Sequence, residues 1–313
     1  MVVSGAVDST AMADAIRLQN VSKTFGATKA VTDLDLAIPQ GALYGFIGPN
    51  GAGKTTTIRM IMSILFPDTG SLEVLGHSSA LAAKHRIGYL PEERGVYRKM
   101  RVGPFLTFMA RLKGVPEADI APRITRGLAR VGLADADRKR CEDLSKGTQQ
   151  KIQFLAAIIH RPDLLILDEP FSGLDPVSAR SLREMVLEEH ARGATIIFST
   201  HVMSHAEELC DHVVMINKGQ KVLDDPVASI RQRYDPRIIE FEPLDPDADL
   251  SPLDAVPEVE QVIREGRGCR VVLHEGASAP AVIPRLAISV PPARIEIARP
   301  TLEDVFVKTV AAV

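Results

Sequence analysis

At 313 residues the chain has room for about two domains of ordinary size. Its 45% hydrophobic and 25% charged side chains exclude a wholly disordered or fibrous protein. With 37 Lys and Arg against 40 Asp and Glu, no Trp and 4% aromatics, a basic groove with stacking platforms for nucleic acid is not expected.

From Met1 to about Asp14 the chain is small and polar, without the basic stretch and apolar core of a signal peptide, and reads as a loose tail. Ala42 to Ile47 is an apolar strand, followed by a glycine-rich loop. Ile58, Ile61, Met62 and Leu65 then recur at helical spacing and predict a helix over Thr55 to Phe66. From about Val102 to His160 helical patterns dominate, over Phe105 to Leu112, Ile124 to Val131 and Gln149 to Ile159. Leu164 to Leu167 and Thr195 to Ser199 are continuous β-prone runs of the kind a parallel sheet buries on both faces, with a helix expected over Val177 to Arg192 between them. The reading is α/β, with a helical subdomain inserted over about residues 100–160.

After Asp224 the chain carries Pro226, Pro236, Pro243, Pro246, Pro252 and Pro257, which marks a boundary. Beyond it, strands are expected at Arg237 to Phe241, Val259 to Ile263, Arg270 to Leu273 and Arg294 to Ile297. Helices are expected at Ala279 to Ile288 and Leu302 to Val310, giving a small α+β domain over residues 237–313. No run approaches the ~18 to 20 apolar residues of a membrane-spanning helix. Cys141, Cys210 and Cys269 stand about 60 to 70 residues apart, so no metal or redox pair is formed by spacing, and a reduced, cytosolic compartment suits them.

Gly48-Pro49-Asn50-Gly51-Ala52-Gly53-Lys54-Thr55 fits the phosphate-binding pattern of glycine, four residues, Gly-Lys and Ser or Thr, between a strand and a helix. Backbone N–H groups there turn toward phosphate oxygens, Lys54 reaches the β and γ phosphates, and Thr55 can hold magnesium, with Thr56 beside it. Leu164 to Leu167 ends in Asp168 and Glu169, which places two carboxylates at a strand end beside that loop. Asp168 is the candidate magnesium ligand, and Glu169 is the candidate for polarising an attacking water. His201, a candidate catalytic residue that can hydrogen-bond the γ-phosphate or orient water, follows the strand Thr195 to Ser199 and falls at the same sheet edge as Glu169. His205 lies four residues on, but no acid between them and no third ligand supports zinc.

Leu144-Ser145-Lys146-Gly147-Thr148-Gln149-Gln150 precedes Asp168 by 24 residues and resembles the signature segment of ATP-binding cassette ATPases. Ser172-Gly173-Leu174-Asp175 resembles that family's D-loop, and His201 its switch histidine. The similarity runs over residues 16–233. It implies a P-loop cassette in which ATP held by Lys54 of one copy is closed over by Ser145, Gly147 and Thr148 of a second, head to tail, with Asp175 alongside. Phe25 resembles the adenine-stacking aromatic. Two departures stand out: Glu92 takes the place of the usual glutamine and is an added magnesium-ligand candidate, and Lys146 and Thr148 replace the usual glycine and glutamine. Both resemble bacterial efflux ATPases of the sodium-export and daunorubicin-resistance type, whose C-terminal domain ends in a segment similar to Pro300-Thr301-Leu302-Glu303-Asp304-Val305-Phe306.

The resemblance implies an ATP-hydrolysing subunit at the cytoplasmic face of the membrane, driving a separate polytopic permease by dimer closure, in the direction of export. A soluble cassette ATPase acting on ribosomes or DNA is the alternative, although such chains usually carry two cassettes or a long coiled-coil insertion. A GTPase is disfavoured because Asn217-Lys218-Gly219-Gln220 lacks the acid that reads guanine.

Overall fold

A computed structural model of the chain describes residues 13–93, 95–233, 237–298 and 301–311. Most of the tail expected at Met1 to Asp14, together with Arg94, Pro236 and Pro300, lies outside the described residues. Asp14 itself opens a strand. The described residues form two compact units that divide between Val227 and Ala228.

The first unit starts with β1 (Asp14–Phe25) and β2 (Thr28–Pro39), an antiparallel pair, and β3 (Leu43–Ile47), whose five residues are all buried. After the glycine loop comes α1 (Lys54–Ile61), then β4 (Thr69–Val74) and β5 (Ile87–Leu90). The α1 helix stops short of the expected Phe66 because Ser63 turns left-handed at φ 55° and Phe66, half of a Phe-Pro pair, is disfavoured in α conformation. The helical insertion follows as α2 (Val102–Leu112), α3 (Glu117–Arg130) and α4 (Lys146–Ile158). The chain then re-enters the α/β core with β6 (Leu164–Asp168), α5 (Pro176–Ala191), β7 (Thr195–Thr200), α6 (Met203–Leu209), β8 (His212–Asn217) and β9 (Gln220–Pro226).

The main sheet has the order β5-β6-β7-β3-β8-β9, parallel except for β9, and a second antiparallel sheet has the order β2-β1-β4. Ile16, Leu34 and Val74 from the small sheet meet Phe46, Ile58 and Ile197 from the main sheet and α1 in one buried core. Because parallel strands present their C-terminal ends on one edge, β3, β6 and β7 deliver the glycine loop, Asp168 and Thr200 side by side.

After α7 (Val227–Arg233) the second unit contains β10 (Ile238–Pro243), α8 (Ser251–Asp254), β11 (Val259–Glu265), β12 (Gly268–Leu273), α9 (Ala279–Ser289), β13 (Pro292–Ala298) and α10 (Leu302–Ala311). Its antiparallel sheet has the order β11-β12-β10-β13, with Ile239, Phe241, Val271, Leu273, Val282 and Leu286 in its own core. The α10 helix begins with a reciprocal cap: Asp304 N–H donates to Thr301 Oγ1 at 3.1 Å, and Thr301 N–H donates to Asp304 Oδ2 at 3.0 Å.

His160, at the end of the insertion, has its Nε2 3.2 Å from the Ile87 carbonyl, while Nδ1 is buried without a partner. Burial, together with the charges of Lys113, Arg192 and Arg123, pushes its imidazole down to about 4, against the opposing pull of the Ile87 carbonyl. Between that value and ~6.5 the unfolded chain takes a proton that the folded chain refuses, so this contribution to stability is complete above pH ~6.5 and is lost as pH falls. Unfolding free energies from urea titrations between pH 7 and 4.5 are expected to fall by up to about 1.4 kcal/mol per pH unit from this group, and His160→Gln should flatten that slope.

Candidate nucleotide-binding site

Residues 48–53 join β3 to α1 in a backbone that only glycine accommodates at two points. Gly48 has φ 151° and a Cβ there would lie 2.1 Å from the Ile216 carbonyl oxygen, while Gly53 has φ 107° and a Cβ would lie 2.4 Å from that of Ala30. Gly51, at φ 77°, faces open space. We therefore expect Gly53→Ala to lower unfolding free energy by at least about 2 kcal/mol in urea titration, and Gly51→Ala to cost about 1 to 2 kcal/mol from the left-handed backbone alone. The loop is braced from outside: Gly219, in the β8–β9 turn, donates its N–H to Ala52 O at 2.8 Å and accepts from Thr32 N–H at 2.8 Å.

At the start of α1, Gly53 provides no side-chain cap and the first turn holds no acid, so the free N–H groups and the positive end of the dipole remain open to an anion. Lys54 is only 6% exposed and donates from Nζ to Gly48 O at 2.7 Å and Pro49 O at 3.1 Å. Burial lowers its pKa, while Glu169, Asp168 and Glu92 oppose the shift.

Asp168, at the end of β6, is 1% exposed, and its Oδ1 has no hydrogen-bond partner. Burial raises its pKa and the Glu92 and Glu169 carboxylates add to this, with the Ser199 and Thr55 hydroxyls acting the other way. A buried, orphaned carboxylate oxygen beside a threonine hydroxyl fits a hard divalent cation. Among the described residues no three His, Cys, Asp or Glu side chains converge on a cage, so phosphate and water would complete such a cation's shell.

Glu169 stands at φ 48° and donates its N–H to Ser199 O at 3.0 Å. Its carboxylate is gripped by the end of the neighbouring strand. Oε1 accepts from His201 N–H at 2.8 Å and lies 2.7 Å from His201 Nδ1, and Oε2 accepts from Thr200 Oγ1 at 3.2 Å. Because a carboxylate only accepts, the Nδ1 of His201 carries the proton and its Nε2 is left as an acceptor in the neutral ring. The sequence placed His201 at this edge; that it clamps Glu169 emerges only from the pairing of β6 with β7.

A cleft of about 550 Å³ runs over Asn50 to Thr56 and is bordered by Glu92, Asp168 and Glu169. Thr28, Lys29, Ala30 and Lys218 also line it, and sequence reasoning gave none of them this place. The run Asn217 to Gln220 is the only signal that could have pointed to Lys218. Three cations, Lys29, Lys54 and Lys218, thus face the three carboxylates. Glu92 is exposed; its neighbour Glu93 accepts through its carbonyl from Gln153 Nε2 at 3.3 Å, which ties this loop to α4.

The remaining expected residues are elsewhere. Phe25, at the end of β1, does not line the cleft; it is 47% exposed, and Lys23 Nζ lies 5.6 Å from its ring centre. Ser145 caps α4, accepting from Thr148 N–H at 3.2 Å, and the two hydroxyls lie 2.8 Å apart. The helix therefore starts at Lys146, earlier than the expected Gln149. Gly147 packs beside Leu174, Ser178 and Asp175, and Asp175 caps α5 by accepting from Ser178 N–H at 2.9 Å. Hydrogen bonds from the Ser178 hydroxyl and N–H hold the Asp175 carboxyl below its usual range. Of Ser145, Gly147, Thr148 and Asp175, none lines the cleft of its own chain.

A strand, glycine loop and helix beside an acid-tipped parallel strand, interrupted by a helical insertion, are the architecture of a P-loop ATPase cassette. Residues 31–172 match the ABC transporter family, and residues 226–310 match the C-terminal domain of DrrA1-3-like ATP-binding proteins. An uncharacterized ABC transporter ATP-binding protein of Bacillus subtilis, YhaQ, is 38% identical over 95% of this chain and 99% of its own length. The bacitracin transport ATP-binding protein BcrA of Bacillus licheniformis is 34% identical over 71% of this chain and 73% of its own. A solved ATP-binding subunit of an ABC transporter superposes with a TM-score of 0.65 at 29% identity, covering 70% of this chain and 92% of that one. The chain belongs to the ABC transporter family as an ATP-binding subunit, with a DrrA-like C-terminal domain.

Proposed function

We infer that the chain hydrolyses magnesium-bound ATP at a site shared between two copies, and that closure of the pair drives a separate membrane permease in the export direction. The observation that carries this reading is the division of the site. The cleft holds Lys54, Thr55, Asp168 and Glu169, whereas Ser145, at the start of a helix whose first turn holds no acid, is absent from it and is available to a nucleotide held by another copy.

Within the site, residues 48–56 grip the phosphates, and Thr55 and Asp168 would hold a magnesium ion, with Glu92 as a further oxygen donor. When bound, that ion neutralises phosphate charge. Glu169 accepts the proton of the attacking water, and His201 keeps the carboxylate aimed. Phe25, half-exposed at the end of β1, is assigned to stacking on adenine. The cassette is taken as residues 16–233, with its helical subdomain over about 100–160 and an accessory domain over 237–313. The division of contacts near Val227 supports that boundary.

No helix among the described residues is long and apolar enough to cross a membrane, so transport calls for a partner that does. Export is supported by the DrrA-like C-terminal domain and by the efflux-type departures at Glu92, Lys146 and Thr148. The test is to trap Glu169→Gln with ATP in gently solubilised cells and identify what it retains. One multi-spanning membrane protein, together with a doubling of mass by light scattering, is the expected result. Ribosomal proteins or DNA in its place would overturn the transport reading.

A further inference from the structure

A second cleft, of about 510 Å³, opens between α3 and the end of α4 and shares no lining residue with the nucleotide cleft. Its floor is aliphatic, made by Leu106, Ile124, Leu155, Ile158, Ile159 and Met185, and no aromatic side chain lines it. Its rim carries Arg123, Arg126, Arg130 and Arg161, with Asp119 as the one acid.

The four guanidiniums are not equally engaged. Arg123 pairs with Asp119 at 3.0 Å and donates to Ile159 O at 3.0 Å, and Arg130 pairs with Glu188 of α5. Arg126 uses only its Nε, on Pro122 O at 3.3 Å, and the Arg161 side chain makes no hydrogen bond or ion pair among the described residues. Two exposed cations therefore border a greasy cleft without a carboxylate partner. Arg161 also sits at φ 57°, a backbone state glycine would adopt more readily.

We propose that this cleft binds an amphipathic anion of the medium-chain acyl carboxylate class, with its chain on the aliphatic floor and its headgroup held by Arg126 and Arg161. A guanidinium fork matches a carboxylate in bidentate fashion. Unbranched hydrocarbon suits a floor of Leu, Ile and Met, where a purely polar ion would leave the apolar surface bare. The occupant would touch α3, α4 and, through Met185, α5, and so bridge the helical insertion to the α/β core.

Titration calorimetry of the full chain with sodium decanoate below its micellar range tests the assignment, with decanol and acetate as tail-only and head-only probes. Decanoate should bind with one-to-one stoichiometry, at least about tenfold more tightly than either control, and should weaken as sodium chloride is added. Arg126→Ala/Arg161→Ala should lose about tenfold or more of that affinity with melting temperature and ATP binding unchanged, while Arg126→Lys/Arg161→Lys should keep part of it. Equal binding of decanol, unaltered decanoate affinity in the alanine pair, or uptake of many equivalents without saturation would each overturn the proposal.

Discussion

Glu169→Gln should bind ATP about as tightly as the unaltered chain while its single-turnover hydrolysis slows by about 10²- to 10⁴-fold, the range that a general base supplies. The substitution changes little except basicity. An amide oxygen can still accept from the His201 N–H now 2.8 Å from Oε1, and the Thr200 hydroxyl can reverse its role and accept from the new NH₂. The 8% exposure of the residue leaves it close to the cleft but sheltered, where a carboxylate has few water competitors. His201→Ala separates the two roles, because it removes the imidazole and leaves the carboxylate. If the histidine positions Glu169, turnover falls less than in Glu169→Gln and nucleotide affinity is kept. Rapid-quench hydrolysis alongside a fluorescent-nucleotide titration reads both quantities; near-normal turnover in Glu169→Gln would remove it from the chemistry.

The parts of this site legible in the sequence are those whose chemistry is local. Gly48 to Thr55 must be glycine-rich because a Cβ at Gly48 or Gly53 would strike a backbone carbonyl, so the motif carries its own structural reason. The runs that became β3, β6 and β7 are buried on both faces, and their unbroken apolar character announces it. The small antiparallel sheet was harder to see. The β1 strand carries several register shifts, which break the alternation that would identify a half-buried strand. The β9 strand is polar and only partly buried, and the run Asn217 to Gln220, read in the sequence only as lacking the acid that reads guanine, gives no sign that its turn brings Lys218 and Gly219 to the loop. What no periodicity could supply is the grip of His201 on Glu169. Those residues are 32 apart in sequence and meet because Asp168 and Ser199 are paired in neighbouring strands. Arg161 and Arg126 likewise share a rim only through the packing of α3 against α4.

Lys54→Ala should act on a different step, lowering ATP affinity and turnover together. The ammonium is buried and donates to the Gly48 and Pro49 carbonyls, so the loop itself places it where phosphate oxygens can take over as its partners. A charge-assisted hydrogen bond of this kind is worth about 1.5 to 3 kcal/mol, or roughly 10- to 100-fold in affinity. Electrostatics adds to the loss. With Lys54 removed, Lys29 and Lys218 alone face Glu92, Asp168 and Glu169, so the cleft acquires an excess of negative charge just where a polyphosphate must enter. Part of that repulsion belongs to Glu92, the departure from the family pattern, and Lys54→Ala/Glu92→Gln should therefore recover some affinity without recovering turnover. Titrations with a fluorescent ATP analogue at two salt concentrations distinguish the contributions, since screening weakens the repulsion but does not restore the lost hydrogen bonds. If Lys54→Ala binds ATP as the unaltered chain does, the ammonium has no part in holding phosphate and the loop's backbone alone carries the affinity.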